Sequence, residues 1–343
     1  LEILKLFLSQ LKENKLIEEL YNFMDSKLNN KILKTLSEKG LNTESFMEGL
    51  QSIKPLTYWD YIQTESLLGL QTQRTDQPDE MVFIVYHQIN ELLFKMILWE
   101  IEQIALEEQL KATFFAERLD RVSRYFDMLC SSFIIMKDGM DLEQYMKFRK
   151  TLAPASGFQS AQYRKIEFAS TELINLIDFR FRKTINRNTP FRHAFEHLYW
   201  QAAGKNHETG EASAMIHLCE DKYRDQVIDF IKKYSHKNIW TLFDSLPSDE
   251  KINLSLINAM RHFDHTVNIK WVMEHFKTAS KYLDGANKVE KATGGSDWKK
   301  YMHPKYQRRT FFPKLWTKEE MVNWGEQNLE THRILSSFDK LDI

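Results

Sequence analysis

Cysteine, proline and glycine are all scarce in this chain of 343 residues, numbering two, seven and eleven. Cys130 and Cys219 alone cannot build a disulfide framework or a zinc ribbon, so a reducing compartment is the expectation. Few glycines and prolines leave long stretches without helix breakers, which argues against a sheet protein rich in tight turns. Neither sign of charge prevails: the formal net charge is -1, and no basic surface advertises nucleic acid. No apolar run reaches the roughly 20 residues that span a bilayer. The first residues also lack the basic, apolar and small-residue succession of a signal peptide. The expectation is a cytoplasmic protein with no membrane and no nucleic acid as partner.

Against these absences, 43% of the residues are hydrophobic and 28% charged, the balance of a chain with a packed core. The aromatic share is 13%, with eight tryptophans and 23 phenylalanines. That excess serves a bulky core, a pocket for a flat apolar molecule, or both.

The apolar residues recur at helical spacing nearly throughout. Residues 1–50 read as amphipathic helix, with Leu4, Leu8, Leu11, Ile17, Leu20 and Phe23 in phase. Pro55 breaks the pattern, and 58–70 resumes it. The expected division is an N-terminal helical segment, 1–55, and one helical domain, 56–343. Pro78 suits the first turn of a long helix reaching about Leu110, with a core stripe of Val82, Val85, Ile89, Leu92, Met96 and Leu98. A second helix covers about 114–136 and turns at Asp138-Gly139. A short one over 141–152 stops before Pro154. Helical patterns return at 160–185, 191–203, 211–235 and 250–284, and a last one at 317–335 has Thr317 as its cap. With no repeat and no low-complexity linker, the fold class is all-α.

Common catalytic signatures are missing. His207-Glu208 is not a zinc-protease start, because Glu211 stands where the second histidine is required. No histidine follows a glutamate by three residues, so the E-x-x-H element of di-iron bundles is absent. There is no G-x-S-x-G elbow, P-loop or Rossmann fingerprint. His193 with His197, and His262 with His265, share helix faces and read as surface or hydrogen-bonded histidines.

Two other histidines sit in apolar helices. His87 shares a face with Phe83, four residues earlier, and His275 shares one with Trp271. A single imidazole on a helix is a common axial ligand of haem iron, and equally a common core residue. Arg149 precedes Pro154 and the small loop at Ser156-Gly157. An arginine beside such a loop suits bidentate capture of a carboxylate, or points to solvent.

The run Pro154-Ala155-Ser156-Gly157-Phe158-Gln159-Ser160 resembles the signature loop of the tryptophan 2,3-dioxygenase family. Tyr58-x-x-Tyr61 with Leu67-Leu68, Asp79-Glu80, and Phe83-Ile84-x-x-His87-Gln88 with Glu91-Leu92 and Phe94-Lys95 resemble its N-terminal blocks. Trp271-x-x-x-His275 and Thr293-Gly294-Gly295-Ser296 resemble its C-terminal ones. The blocks follow the family's order over roughly residues 56 to 300.

The resemblance implies haem b, with its iron, as cofactor, L-tryptophan and O2 as substrates, and N-formylkynurenine as product. It also implies a homotetramer in which a neighbour's N-terminal segment completes each site. His275 would be the proximal iron ligand, with Trp271 beside the cofactor, and His87 the distal histidine near the indole N–H. Arg149 would clamp the carboxylate and Thr293 meet the ammonium group. Phe83, Tyr145 and Ser156 would line the pocket, Tyr58 and Tyr61 would enter from the neighbour, and Arg164 would face a propionate. The chain departs from the family pattern at Ala292 and over 297–301, and it lengthens the stretch from His275 to Thr293. Two other readings follow: a haem-dependent monooxygenase of an aromatic amino acid, and a non-catalytic haem- or indole-binding protein.

Overall fold

Two long helices without an internal glycine or proline organise the protein. A computed structural model describes residues 15–50, 56–205, 210–283 and 309–325. These fall into two compact units, Leu1–Leu70 and Gln71–Ile343. The first unit contains α1 (Lys15–Glu38), α2 (Thr43–Leu50), α3 (Tyr58–Ile62) and α4 (Thr64–Leu68). Leu4, Leu8 and Leu11 of the expected amphipathic stretch lie outside the described residues.

The second unit is built on α5 (Asp79–Leu106) and α6 (Ala112–Asp138), packed along one another. Asp79 and Glu80 occupy the first turn of α5, where carboxylates meet the positive end of the helix dipole. By length and composition α5 could cross a membrane. Its Glu100, however, is buried and paired with Arg118 (3.1 Å) and Arg121 (2.8 Å) of α6, as in a core helix. Gly139 ends α6, and a Cβ there would lie 2.6 Å from the Ile135 carbonyl oxygen. Beyond it, α7 (Leu142–Arg149) is capped by the Asp141 side chain. The starts of α5 and α7 are locked together: Asp141 N–H donates to Asp79 Oδ2 (2.6 Å), and Asp79 N–H donates to Gln144 Oε1 (3.1 Å).

Next come α8 (Ala161–Ser170), α9 (Phe191–Phe195), α10 (Tyr199–Ala203), α11 (Ala214–Tyr234), α12 (Ile239–Ser245) and α13 (Ser248–Lys251). Then α14 (Leu254–His265) continues through a π-helical turn, Thr266–Lys270, into α15 (Trp271–Leu283). This rod packs against α6, α8 packs against α5 and α11, and α16 (Lys318–Val322) is the last described helix. No strand occurs among the described residues; Ile177–Leu198 and Lys205–Ala212 form isolated bridges. The fold is all-α.

Several expected elements differ in extent. The 160–185 pattern is a helix only through Ser170, followed by a 3-10 turn at Leu173–Leu176 and irregular chain. The 191–203 pattern splits into α9 and α10, because Asp178 N–H takes the His197 carbonyl (3.0 Å) and extends the chain there. Thr317 does cap α16 in a reciprocal box with Glu320, but the helix ends at Val322 and the chain turns at Gly325 (φ 91). On α5 the expected stripe is turned: Val85, Leu92 and Met96 are exposed, while Tyr86, Leu93, Phe94, Ile97, Ile101 and Ile104 are buried. A helix apolar almost all round gives its periodicity no face to choose.

Candidate active site

His87 and His275 come from different helices, α5 and α15. The His275 proton affinity is pushed down to about 4, first by burial and then by the His87 ring. Burial also lowers His87, outweighing the Phe83 carbonyl and Glu91, which act the other way. Both imidazoles are therefore neutral at pH 7. Both residues nevertheless keep open surface.

The hydrogen bonds fix one tautomer. His87 Nδ1 lies 2.7 Å from the Phe83 carbonyl oxygen, which only accepts, so Nδ1 carries the proton. Nε2 of the neutral ring is left as an acceptor. His275 has no hydrogen-bond partner among the described residues, and a neutral imidazole with an unspent lone pair is a metal donor. Its ring lies along Phe133, with centroids 5.8 Å apart and planes 19° from parallel.

Aromatic rings surround both histidines. Phe83 lies 4.1 Å from His87, 5.5 Å from Phe148 and 6.2 Å from Tyr145. Tyr145 meets Tyr282 at 4.5 Å, and the Tyr282 hydroxyl donates to the Met136 carbonyl at the end of α6. Trp271 reaches Phe133 at 4.8 Å, Phe94 at 6.2 Å and Phe126 at 6.5 Å. A flat apolar cofactor whose metal is held by one nitrogen would suit these rings and this donor, so the residues present could hold haem.

Arg149 ends α7, next to Phe148, and is 8% exposed; the solvent-facing alternative is excluded. The following loop folds back on itself. Ala155 N–H donates to the Leu152 carbonyl (2.6 Å), Ser156 N–H donates to Gln159 Oε1 (3.2 Å), and the Ala153–Pro154 bond is cis. Arg74 Nη1 donates to the Thr151 carbonyl (3.2 Å), while the backbone N–H groups of Arg74 and Thr75 are held by Glu80. This ties the loop to the start of α5.

Arg164 is buried and donates to Glu167 (2.8 Å) and the Tyr199 hydroxyl (2.6 Å), and Arg309 donates to the same Glu167 (2.9 Å). Tyr58 and Tyr61, both 73% exposed, belong to the first unit. Thr293 lies outside the described residues. The sequence reading missed Phe133, Phe148 and Tyr282. Only Tyr282 carries a signal in the chain, seven residues beyond His275 and so on the same helix face.

The family model described as tryptophan 2,3-dioxygenase matches residues 47–247. The chain belongs to the tryptophan 2,3-dioxygenase family. A tryptophan 2,3-dioxygenase of Geobacillus thermodenitrificans is 30% identical over 295 residues, covering 82% of this chain and 95% of the relative. One from Exiguobacterium sibiricum is 27% identical over 275 residues, 77% of this chain and 92% of the relative. One from Bacillus thuringiensis is 41% identical over 140 residues, 40% of this chain. The chain spans about half the length of that Bacillus relative, 46%. Within the family match lie Tyr58, Tyr61, Phe83, His87, Tyr145, Arg149, Ser156 and Arg164, whereas Trp271 and His275 follow it.

Proposed function

We propose that the protein is a haem-dependent dioxygenase that opens the indole ring of L-tryptophan with O2 to give N-formylkynurenine. The observation that carries this reading is the pair of neutral histidines set among aromatic rings, one with a bare acceptor and one with an unspent lone pair. His275 would hold the iron of haem b, with Trp271 and Phe133 fixing its surroundings. Bound there, haem would supply the binding and activation of oxygen.

The chain's own residues would do the rest. His87 Nε2 would accept the indole N–H without taking its proton, since burial lowers the proton affinity of the ring. Phe83 and Tyr145, joined by Phe148, would sandwich the ring. Arg149, desolvated at the end of α7, would take the substrate carboxylate through two parallel bonds beside Ser156. Holding both ends of the amino acid places the indole ring and keeps water out, which is where proximity gains arise. Thr293 would meet the ammonium group, Arg164 a propionate, and Tyr58 and Tyr61 would complete a neighbour's site in a cytoplasmic homotetramer. The exposed apolar residues Val85, Leu92, Trp99 and Leu106, one every seven along α5, support association.

A monooxygenase remains the second reading, motivated by the departures at Ala292 and over 297–301. Labelled oxygen separates the two. Supplied to the reduced holoprotein with tryptophan, it should place two labelled atoms in N-formylkynurenine. One labelled atom in a product with an intact indole-derived ring overturns the dioxygenase reading and leaves the fold standing. The buried Arg149 argues against a passive haem binder, which needs no carboxylate clamp.

A further inference from the structure

The rod that carries His275 is not a plain α-helix. Along α14 and into the π-turn, Leu256, Met260, Phe263 and Val267 recur every three or four residues and are buried. An unbroken α-helix would bring Trp271 and Glu274 next onto that face. Both are only half-buried, and the buried positions are instead Val272, Met273 and Phe276. The π-turn explains the change: Trp271 N–H bonds the Thr266 carbonyl, five residues back. One extra residue in the turn rotates everything beyond it by about 100° relative to a plain α-helix.

Asp264 stands just ahead of this turn, fully buried, and no cation pairs with it among the described residues. Its carboxylate accepts four bonds instead. Asn268 Nδ2, inside the π-turn, donates at 2.8 Å. Phe311 N–H (2.8 Å), Phe312 N–H (3.0 Å) and Trp316 Nε1–H (2.9 Å) donate from the segment beyond residue 308. That segment then covers the turn: Trp324 and the flanking Trp316 pack with Ile269, Val272, Met273 and Phe276. Asp264 thus joins the turn that sets the rotation of α15 to the chain that encloses it.

We propose that Asp264 is a positioning residue for His275, holding the π-turn through Asn268 and thereby fixing the direction in which α15 presents the imidazole. The proposal rests on the reading of His275 as iron ligand. Asparagine in place of Asp264 keeps the shape but turns an N–H toward donors that then lack an acceptor. A plain core role would cost stability alone. A positioning role also alters the iron–imidazole bond.

The test uses the haem-loaded full chain carrying Asp264→Asn or Asn268→Ala, with Glu100→Gln as a buried-acid control far along α5. The iron–histidine stretching band of the ferrous protein is read by resonance Raman, together with haem transfer to an acceptor protein and the melting temperature. The expected result is a shifted, broadened band and severalfold faster haem loss in both test variants, with an unmoved band in Glu100→Gln. If Asp264→Asn does not fold, Asn268→Ala decides by the same band. Lower melting temperatures with an unchanged band overturn the proposal. A His275→Ala protein that keeps the wild-type band overturns instead the ligand reading beneath it.

Discussion

Phe133 lies along His275, ring centroids 5.8 Å apart and planes 19° from parallel, so an α6 side chain limits rotation of an imidazole on α15. Two variants follow. His275→Ala should lose most bound haem or change the Soret band, whereas His197→Ala, whose Nδ1 bonds the His193 carbonyl, should do neither. Phe133→Leu should retain haem but release it faster, because the ring's orientation is no longer enforced. Absorption spectra after reconstitution check both.

Arg149 is a buried cation at the end of a two-turn helix, and the substrate carboxylate is its proposed ligand. Truncating one member of a buried charged pair costs about 2–5 kcal/mol. Arg149→Ala should therefore lower kcat/KM for tryptophan by about 30-fold or more. Tryptamine, without a carboxylate, should start as a poor substrate and lose little further. Equal loss for both substrates would point to a folding defect.

Glu80 gives an acid-sensitive signature. Burial raises its carboxyl pKa, but bonds from the Thr75 hydroxyl and from the Arg74 and Thr75 backbone, with the Arg74 charge, bring it below the usual 4.5. A carboxyl whose folded value is depressed stabilises the folded protein above its unfolded value. That contribution fades as pH falls through the lowered folded value. Glu80→Gln should cost about 1–3 kcal/mol near neutrality. The gap to wild type should narrow steadily below pH 4.5 in denaturant titrations of the apoprotein.

Gly139 supplies a packing test. A methyl group there would meet the Ile135 carbonyl oxygen at 2.6 Å, and backbone cannot swing aside as a side-chain tip does. Gly139→Ala should cost about 1–3 kcal/mol. The damage should also reach the pocket, because the nearby Met136 carbonyl anchors Tyr282. Thermal melts and tryptophan binding should worsen together.

The all-α class was legible because breakers are rare and apolar spacing is helical almost everywhere. Helix ends were legible where a cap stands in the chain, as at Thr317, and where Gly139 forces a stop. The buried face of α5 was not, since Val85 and Leu93 are equally apolar and only their neighbours decide between them. Thr266 to Lys270 carries no proline or glycine to mark a π-turn; Asp264 and the segment beyond residue 308 reveal it only once folded. His87 and His275 stood out in the chain as lone histidines on apolar helix faces, and the family resemblance supplied their separate roles. The contacts of Phe133 with His275 and of Phe148 with Phe83 are tertiary facts. Arg164 took its expected role from the resemblance alone, and its bonds to Glu167 and Tyr199 are contacts that the chain does not announce.

Phe311 and Phe312 have no exposed surface and belong to the same core as Leu93, Phe126 and Phe263. During synthesis, therefore, the long helices leave the ribosome before the aromatic pair that seals them exists. Such non-local closure is slow, and the apolar surface it leaves open is prone to aggregate. A nascent chain arrested before Phe311 should bind holdase chaperones, and one extended beyond Trp324 should let them go.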